Sequence, residues 1–278
     1  MDDGRGMEER APVDAVVLTG SINRVALRPG EAPGYKALVP MLGKPLVDYV
    51  LDALCRARTV NRILVVGAPV VHSYVQRWER VETVPECETL LDNAYCGLQA
   101  AGTPRVLFCH PDQPLLRPEM IDHFVEHARR QDADLVTSWV RSEVLGRYEE
   151  GDHKFADFAD GRYAHGNLFL ARKEFPAAEE VKERLDRLYE ARKNNLRFAW
   201  ELGPSLFLRF AWSMVTQQLT TLQETLQIAG EHFHVGLGAV VSPYPEIALD
   251  IDEPEDYAAA ERHLTANLMA DAGIAAPA

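Results

Sequence analysis

The chain of 278 residues carries 42 acidic and 29 basic side chains, a formal net charge of −13, and 47% of its residues are hydrophobic. This composition excludes an intrinsically disordered chain, and it argues against a broad nucleic-acid interface, which needs a basic surface. No apolar run reaches the roughly 20 residues of a membrane-spanning helix. We therefore expect a globular α/β protein in the cytoplasm that handles small molecules and binds no nucleic acid.

The ends of the chain are predicted to be flexible tails over residues 1–12 and 267–278. The first is polar and acidic and lacks the apolar core of a signal peptide, and the second is rich in alanine. The cysteines form no Cys-x-x-Cys pair, so we expect reduced, mostly buried thiols. They are Cys55, Cys87, Cys96 and Cys109.

The first half of the chain alternates between short apolar runs and amphipathic segments, which predict strands and helices respectively. Strands alternating with helices at this spacing indicate βαβ units and a parallel sheet. In chain order we predict a strand at 14–19, a helix at 45–54, a strand at 62–66, a helix at 90–101, a strand at 105–109, a helix at 119–130 and a strand at 133–140.

The second half changes character. A strand at 163–171 is followed by an almost continuous helical pattern over 179–229, which is broken near a Gly-Pro pair at 203–204. Two further strands and a last helix follow, at 235–242, 247–251 and 254–266. We therefore predict one domain over 13–266 with a helical insertion at about 176–230.

Polar residues follow several of the predicted strands, at the edge where open parallel sheets bind ligands. Gly20 ends the first strand and is followed by Arg24, Arg28 and Lys36. A glycine there lets backbone N–H groups approach a phosphate, and the cations supply charge. A single glycine is a weak signal, and an ordinary loop with surface cations explains these residues equally well.

Carboxylates follow two more strands. Asp112 follows the strand at 105–109, and Asp250 and Asp252 alternate at the end of the last predicted strand, where alternate residues would share a face. Carboxylate oxygens suit a hard cation such as Mg²⁺, but aspartates here are also typical of turns and helix caps. Gly166 and Asn167 form a polar step on an apolar strand, which suits either the lining of a pocket or a bulge without function.

Five segments together resemble a known family. They read VVLTG at 16–20, YKALVPMLGKPLVDYVLDAL at 35–54, DQPLLRPEMID at 112–122, GNLFL at 166–170 and DIDEPEDYAAAE at 250–261. In this order and spacing they are similar to the molybdenum-cofactor guanylyltransferase-like NTP-transferase family, over about residues 13–266. The family also resembles the sugar-acid and methylerythritol-phosphate cytidylyltransferases.

The resemblance implies a GT-A-like three-layer α/β sandwich with a mostly parallel sheet, and a Mg²⁺-dependent nucleotidyltransferase. Such an enzyme joins a nucleoside monophosphate unit from an NTP to a small phosphorylated or hydroxyl acceptor and releases pyrophosphate. Lys36 and Asp112 would be catalytic, Asp112 and Asp252 would hold the metal, and Gly166 and Asn167 would face the acceptor. The residues implied to bind the nucleotide are Leu18, Thr19, Gly20, Ser21, Arg24, Arg28, Lys36 and Asn93.

Two other functions stay open. A GT-A glycosyltransferase shares the fold and the carboxylates but transfers a sugar from a nucleotide-sugar. A catalytically silent nucleotide-binding protein would fit Ser21, which stands where the family usually carries a second glycine. The apolar stretch at 204–216 suits a homo-oligomer contact or a peripheral membrane contact, with packing of the insertion on its own domain as the default.

Overall fold

A computed structural model describes residues 11–23, 26–28, 34–146, 155–175, 179–191 and 220–271. Within these ranges the chain forms twelve strands. They are β1 Val13–Leu18, β2 Ile22–Asn23, β3 Gly34–Tyr35, β4 Pro40–Met41, β5 Lys44–Pro45, β6 Val60–Gly67, β7 Val81–Pro85, β8 Arg105–Cys109, β9 Leu135–Arg141, β10 Phe155–Phe158, β11 Gly161–Arg172 and β12 Leu237–Ser242.

Eight α-helices alternate with these strands in the described ranges, and two short 3₁₀ turns lie at Lys36–Leu38 and Pro245–Ala248. The helices are α1 Leu46–Arg56, α2 Pro69–Val75, α3 Leu90–Ala100, α4 Pro118–Ala128, α5 Ser142–Leu145, α6 Glu179–Ala191, α7 Leu222–Phe233 and α8 Pro254–Asp271. None of the described helices is long and apolar enough to cross a membrane.

The central sheet has the strand order β12-β9-β11-β8-β1-β6-β7. The eighth strand, β10, pairs with the first four residues of β11. The pairs β1–β6, β1–β8, β6–β7 and β9–β12 are parallel, whereas β11 runs antiparallel to β8, β9 and β10. The predicted mixed α/β fold with a mostly parallel sheet is confirmed. One reversed strand, β11, therefore lies in the middle of a sheet whose other members run the same way.

Helices cover both faces of this sheet. On one face Ala15 and Val17 of β1 pack in a core with Val50 of α1 and Phe124 of α4, and all four are fully buried. On the other face Val16 packs with Leu98 of α3 in a second cluster. Every residue of β1 is buried on one face or the other, so its residues after Asp14 form an unbroken apolar run rather than an alternating pattern.

Two predicted elements differ from the structure, and a third is described only in part. The segment predicted as a strand at 247–251 forms a 3₁₀ turn and a loop, and its apolar residues Ile247 and Ile251 are buried in two separate core clusters. Of the helical pattern at 179–229, the described parts are α6 and α7, and 192–219 lies outside the described residues. Helix α8 continues to Asp271, five residues into the segment expected to be a tail.

The cysteine expectation is wrong for one pair, because Cys87 and Cys96 form a disulfide while Cys55 and Cys109 are free. Cys87 follows β7 and Cys96 lies on α3, so the bond closes the loop between these elements. A spacing of nine residues matches no metal or redox motif, and the sequence therefore held no signal for it. The sequence patterns also did not predict the short hairpins β2–β3 and β4–β5.

Candidate active site

Backbone contacts bring two distant loops together at the carboxyl edge of the sheet. Asp112 follows β8, and its carbonyl oxygen accepts a hydrogen bond of 3.1 Å from the amide of Ile251. The fully buried Gln113 donates its side-chain amide to the carbonyl of Ile247 at 3.4 Å. The loop after β8 is thereby joined to the segment before α8, which carries Asp250 and Asp252.

Lys36 enters the same place from the first loop. The hairpin β2–β3 pairs Ile22 with Tyr35, and the amide of Lys36 donates to the carbonyl of Ser21 at 2.9 Å, which turns the chain back toward the end of β1. The buried Lys36 ammonium lies 2.7 Å from Asp112 Oδ2 and 2.6 Å from Asp252 Oδ1. Residues 216 positions apart in sequence thus share one ion-pair cluster.

Three carboxylates surround this cation. Asp112, Asp250 and Asp252 each offer an oxygen, and these oxygens lie within 4.8 Å of one another. Asp112 Oδ1 is buried and has no hydrogen-bond partner among the described residues. When all three are ionised, Lys36 balances one of three negative charges, so the cluster keeps an excess of two. Oxygen donors at this spacing could hold a metal ion.

The pKa values reflect this crowding. Burial, followed by the neighbouring charges of Asp112 and Asp252, raises the pKa of Asp250 to about 7. Burial opposes the charge on Lys36, but its contacts with Asp112 and Asp252 outweigh burial and raise the pKa of the ammonium above its ordinary value. Lys36 therefore stays charged throughout the physiological range.

The sequence allows two interpretations of Asp252, as a ligand of a metal ion or as the cap of the last helix. The carboxylate of Asp256 accepts from the amides of Asp252 at 3.1 Å and of Glu253 at 2.9 Å, at the start of α8. The Asp252 carboxylate points to Lys36 and its side chain is 68% exposed. The capping function therefore lies with Asp256.

The predicted nucleotide residues of the first loop separate into two groups. Leu18 is buried in the core, and the amide and hydroxyl of Thr19 both donate to the carbonyl of Val66, at 2.9 and 2.8 Å. The side chains of Leu18 and Thr19 thus stabilise the sheet, because they face its interior. Gly20 and Ser21 lie beyond the strand, where Gly20 is half-buried and Ser21 is exposed.

The remaining predicted cations do not all reach the cluster. Arg28 donates to the carbonyl of Pro40 at 2.9 Å, which ties it to the hairpin β4–β5. Arg24 lies outside the described residues, as does the stretch at 204–216. Of the predicted cations of the first loop, Lys36 is the one that the structure places among the carboxylates.

Asn93 lies against Gly20, and its side-chain oxygen already accepts a hydrogen bond from the protein. Asn93 Oδ1 accepts from the amide of Cys87 at 2.6 Å, and its Nδ2 would lie 3.1 Å from a Cβ placed on Gly20. Glu86 approaches the same glycine and accepts from the Tyr35 hydroxyl at 3.3 Å. Asn93 therefore holds the loop after β7 beside the glycine, and a side chain at Gly20 would press on the Asn93 amide.

The predicted acceptor residues lie on β11 beside the carboxylates. Gly166 is buried, and a Cβ there would come within 2.3 Å of Ser138 Oγ and 2.8 Å of Ile247 Cγ2. The side chain of Asn167 favours the ionised form of Asp250 and so partly offsets the rise in its pKa. The alternation of Asp250 with Asp252 in the sequence indicates a shared face, whereas the family resemblance implies only Asp112 and Asp252 as metal ligands, and the structure adds Asp250 to them.

Aromatic rings continue this surface along β11. His165 is exposed, and its ring lies 4.8 Å from the ring of Trp139 and 5.3 Å from that of Phe169, measured between centroids. The ring of His110 lies 6.4 Å from Phe169 on the side of Asp112. An aromatic wall thus extends from the carboxylates across β9 and β11.

Comparisons with known proteins identify similar sequences and folds. Residues 15–197 match the family model of the MobA-like NTP transferase domain. A hypothetical transferase from Thermus thermophilus is similar at 29% identity and a TM-score of 0.73, over 89% of this chain and 99% of that one. No curated protein sequence matches the chain.

Two more distant structures share the fold. A nucleotidyl transferase from a Methanothermobacter species is 19% identical with a TM-score of 0.56, over 91% of this chain and 98% of that one. The 4-diphosphocytidyl-2C-methyl-D-erythritol synthase from Anaerococcus prevotii is 14% identical with a TM-score of 0.56, over 94% of this chain and 99% of that one.

Proposed function

Because the chain belongs to the MobA-like NTP transferase family and is an enzyme of the nucleotidyltransferase type, we propose that it transfers a nucleoside monophosphate unit from an NTP to a small acceptor. The acceptor carries a phosphate or hydroxyl group, and pyrophosphate leaves. The observation that carries this proposal is the convergence of Lys36 with Asp112, Asp250 and Asp252 at the carboxyl edge of the sheet. This edge is where open parallel sheets bind ligands.

The carboxylates fit a divalent cation. Asp112 Oδ1 is buried without a partner among the described residues, and the cluster holds an excess of negative charge. Hard oxygen donors of this kind suit Mg²⁺, so Asp112, Asp250 and Asp252 would hold it. Bound there, Mg²⁺ would neutralise charge on the phosphate oxygens and orient the leaving pyrophosphate.

The chain itself supplies positioning and fixed charge. An acceptor oxygen forms a bond to the α-phosphorus, and the bond from that phosphorus to the oxygen bridging to the β-phosphate breaks, so the electron pair leaves with pyrophosphate. Two carboxylates hold the ammonium of Lys36 in place, and a fixed cation stabilises the charge that develops on the phosphate oxygens. Gly20 and Ser21, beyond the end of β1, would offer backbone amides to the phosphates.

The acceptor would lie along β11. Asn167 is near the carboxylates, and the aromatic wall of His110, Phe169, His165 and Trp139 continues from there. The acceptor would then lie on the opposite side of the carboxylates from Gly20 and the loop after β7, because β11 and β1 flank β8 in the sheet. We also propose that the protein acts in the cytoplasm, where NTPs and Mg²⁺ are available.

A ligand panel tests the proposal. Each NTP and a set of nucleotide-sugars are added with and without Mg²⁺, and the melting temperature is measured, because a ligand that binds the native state raises it with saturation. We expect an NTP to raise it and Mg²⁺ to enlarge the effect. Pyrophosphate release is then measured with each member of a library of small-molecule acceptors, which identifies the acceptor. Stabilisation by nucleotide-sugars alone, with release of nucleoside diphosphate, would instead indicate the glycosyltransferase.

Lys36→Met sharpens this test. At saturating Mg²⁺ we expect the variant to lose the NTP-dependent shift, because it removes the cation that faces the phosphates. Binding of Mn²⁺ alone should persist, since the three carboxylates remain. The matched control is Lys182→Met, because Lys182 of α6 also forms an ion pair, 3.3 Å from Asp92. An NTP shift that survives in Lys36→Met would remove Lys36 from the nucleotide site.

A further inference from the structure

We infer that the disulfide between Cys87 and Cys96 is a redox switch, which fixes the loop after β7 for nucleotide binding when oxidised and releases it when reduced. Disulfides are rare in the cytoplasm, where thiol systems reduce them, and those that form there in mesophiles are usually transient and sense the redox state. The inference rests on the proposed function, because that function places the protein in the cytoplasm and the phosphates at Gly20.

The bond lies one side chain away from the first loop of the proposed nucleotide site. The backbone amide of Cys87 donates to Oδ1 of the buried Asn93 at 2.6 Å. The other end of the same side chain, Nδ2, would lie 3.1 Å from a Cβ placed on Gly20. Asn93 therefore joins the disulfide to the glycine whose backbone amide would meet a phosphate, and a displacement of Cys87 would release the side chain that contacts this glycine.

The disulfide fixes the middle of the loop after β7, while other contacts fix its ends. The backbone amide of Glu86 donates to the carbonyl of Gly67 at 3.1 Å, which keeps the start of the loop on the sheet in either redox state. Thr89 is the N-cap of α3, so the end of the loop stays on this helix. Breaking the sulfur–sulfur bond therefore frees Cys87 between two ends that remain in place.

A small reductant can reach the bond. Both cysteines are half-buried and line a surface cavity of about 370 Å³ between α3 and α6, together with Tyr95 and Lys182. Lys182 of α6 lies 3.3 Å from Asp92 of α3, and this ion pair forms part of the cavity wall. A cation beside the cysteines favours the thiolate that leaves during reduction.

The switching step is thiol–disulfide exchange with a dithiol. A thiolate of the dithiol attacks one sulfur of the bond and forms a mixed disulfide, and the other cysteine leaves as a thiolate. The second thiol of the reagent then attacks the mixed disulfide and releases the protein. The protein gains two electrons and two protons, and the dithiol is oxidised to its own disulfide.

The test compares oxidised protein with protein reduced by dithiothreitol, at saturating Mg²⁺ and with ATP, GTP, CTP and UTP in turn. Thiol titration of denatured samples defines the two states, because the oxidised form has two free cysteines and the reduced form has four. We expect reduction to raise the Kd for the bound NTP about fivefold, since binding must then order the loop. A glutamate-specific protease should also cut faster at the exposed Glu86 and Glu88 in the reduced protein.

Variants separate the disulfide from other effects of the reductant. Cys96→Ser, alone and combined with Cys87→Ser, should bind the NTP with the Kd of the reduced protein and should not respond to dithiothreitol. The control is Cys55→Ser, because Cys55 on α1 is a free cysteine and its replacement leaves the disulfide intact. Its response to dithiothreitol should match that of the unmodified protein.

The outcomes distinguish the switch from the proposed function. If the reduced protein binds the NTP with the Kd of the oxidised protein, the bond is only structural and the switch is wrong, while the proposed function stands. The switch is also wrong if the bond withstands excess dithiothreitol, or if the protease cuts both forms at the same rate. If no NTP binds to either form, the proposed function itself is wrong and the inference fails with it.

Discussion

Two buried aspartates, Asp14 and Asp112, lie at opposite edges of the sheet. Each contacts a cation, but their carboxylate oxygens differ in whether they have hydrogen-bond partners. At the amino edge, Asp14 at the start of β1 accepts from Asn61 at 3.1 Å, from Arg62 at 2.8 Å and from the amide of Gly102 at 2.6 Å. Burial opposes its charge, but these donors outweigh burial and lower its pKa. Both oxygens are satisfied, and the charge is matched by a cation.

At the carboxyl edge, Asp112 uses one oxygen for Lys36, and its other oxygen has no partner among the described residues. Two more carboxylates are near, and the pKa of Asp250 is raised to about 7. A saturated carboxylate contributes to the stability of the fold, whereas an unsaturated one in a cluster of like charges is typical of a binding site. The degree of saturation, rather than burial, separates the two edges.

The largest expected effect comes from Asp112→Asn. The amide keeps the shape but removes a charged ligand, and a bound metal is worth several kcal/mol in the transition state. We expect pyrophosphate release to fall about 100-fold or more. The melting temperature should change little, because the loss of the contact with Lys36 is offset by weaker repulsion among the carboxylates. Asp52→Asn is the control, since Asp52 pairs with Arg56 on the surface of α1. A variant that retains full turnover would place the reaction elsewhere.

The reverse pattern is expected for Asp14→Asn. Its partner Arg62 has a side chain that is 36% exposed, so we expect a loss of about 2 kcal/mol in the free energy of unfolding, below the range for a fully buried pair. Turnover per folded molecule should not change. Urea denaturation of the variant and the unmodified protein measures the difference. A loss of turnover without a loss of stability would contradict the comparison.

The difference in stability between Asp14→Asn and the unmodified protein should depend on pH. The folded pKa of Asp14 is lower than its unfolded value, so its stabilisation is fully present above the unfolded pKa of about 3.9. It is lost as the pH falls through the folded pKa, where the carboxylate becomes protonated in both states. The stability difference between Asp14→Asn and the unmodified protein should therefore be constant near neutral pH and shrink in acid.

The sequence predicted those parts of the molecule that depend on local pattern. The buried run at 14–19 identified β1, and the residues after the strands indicated Lys36, Asp112 and Asp252. Features that need long-range pairing were not visible. The hydroxyl of Ser138 reaches Leu168 only after β9 and β11 pair with a bulge, and the hydroxyl of Thr19 faces Val66 only once β6 lies beside β1.

The segment at 247–251 shows a different limit. Its apolar residues alternate as they would in a strand. The alternation has another cause, because a 3₁₀ turn buries Ile247 in one cluster and the following loop buries Ile251 in another. Periodicity reports which side chains are buried, and a loop that crosses the end of a sheet can bury alternate residues too. The face shared by Asp250 and Asp252 was thus inferred from an element that does not form, although the two carboxylates do lie together.

The smallest expected effects distinguish two neighbours at the carboxyl edge. Asp256→Ala removes the acceptor for the amides of Asp252 and Glu253, and we expect a stability loss of about 1 kcal/mol with an unchanged Mg²⁺ midpoint for NTP binding. Asp252→Asn removes an exposed charge, so stability should change by less than about 0.5 kcal/mol while the Mg²⁺ midpoint rises severalfold. Urea denaturation measures the stability of both variants, and Mg²⁺ titrations measure their midpoints for NTP binding. If Asp252→Asn instead lost stability and kept its Mg²⁺ midpoint, Asp252 would resemble Asp14, and Asp112 and Asp250 alone would be left to hold the metal.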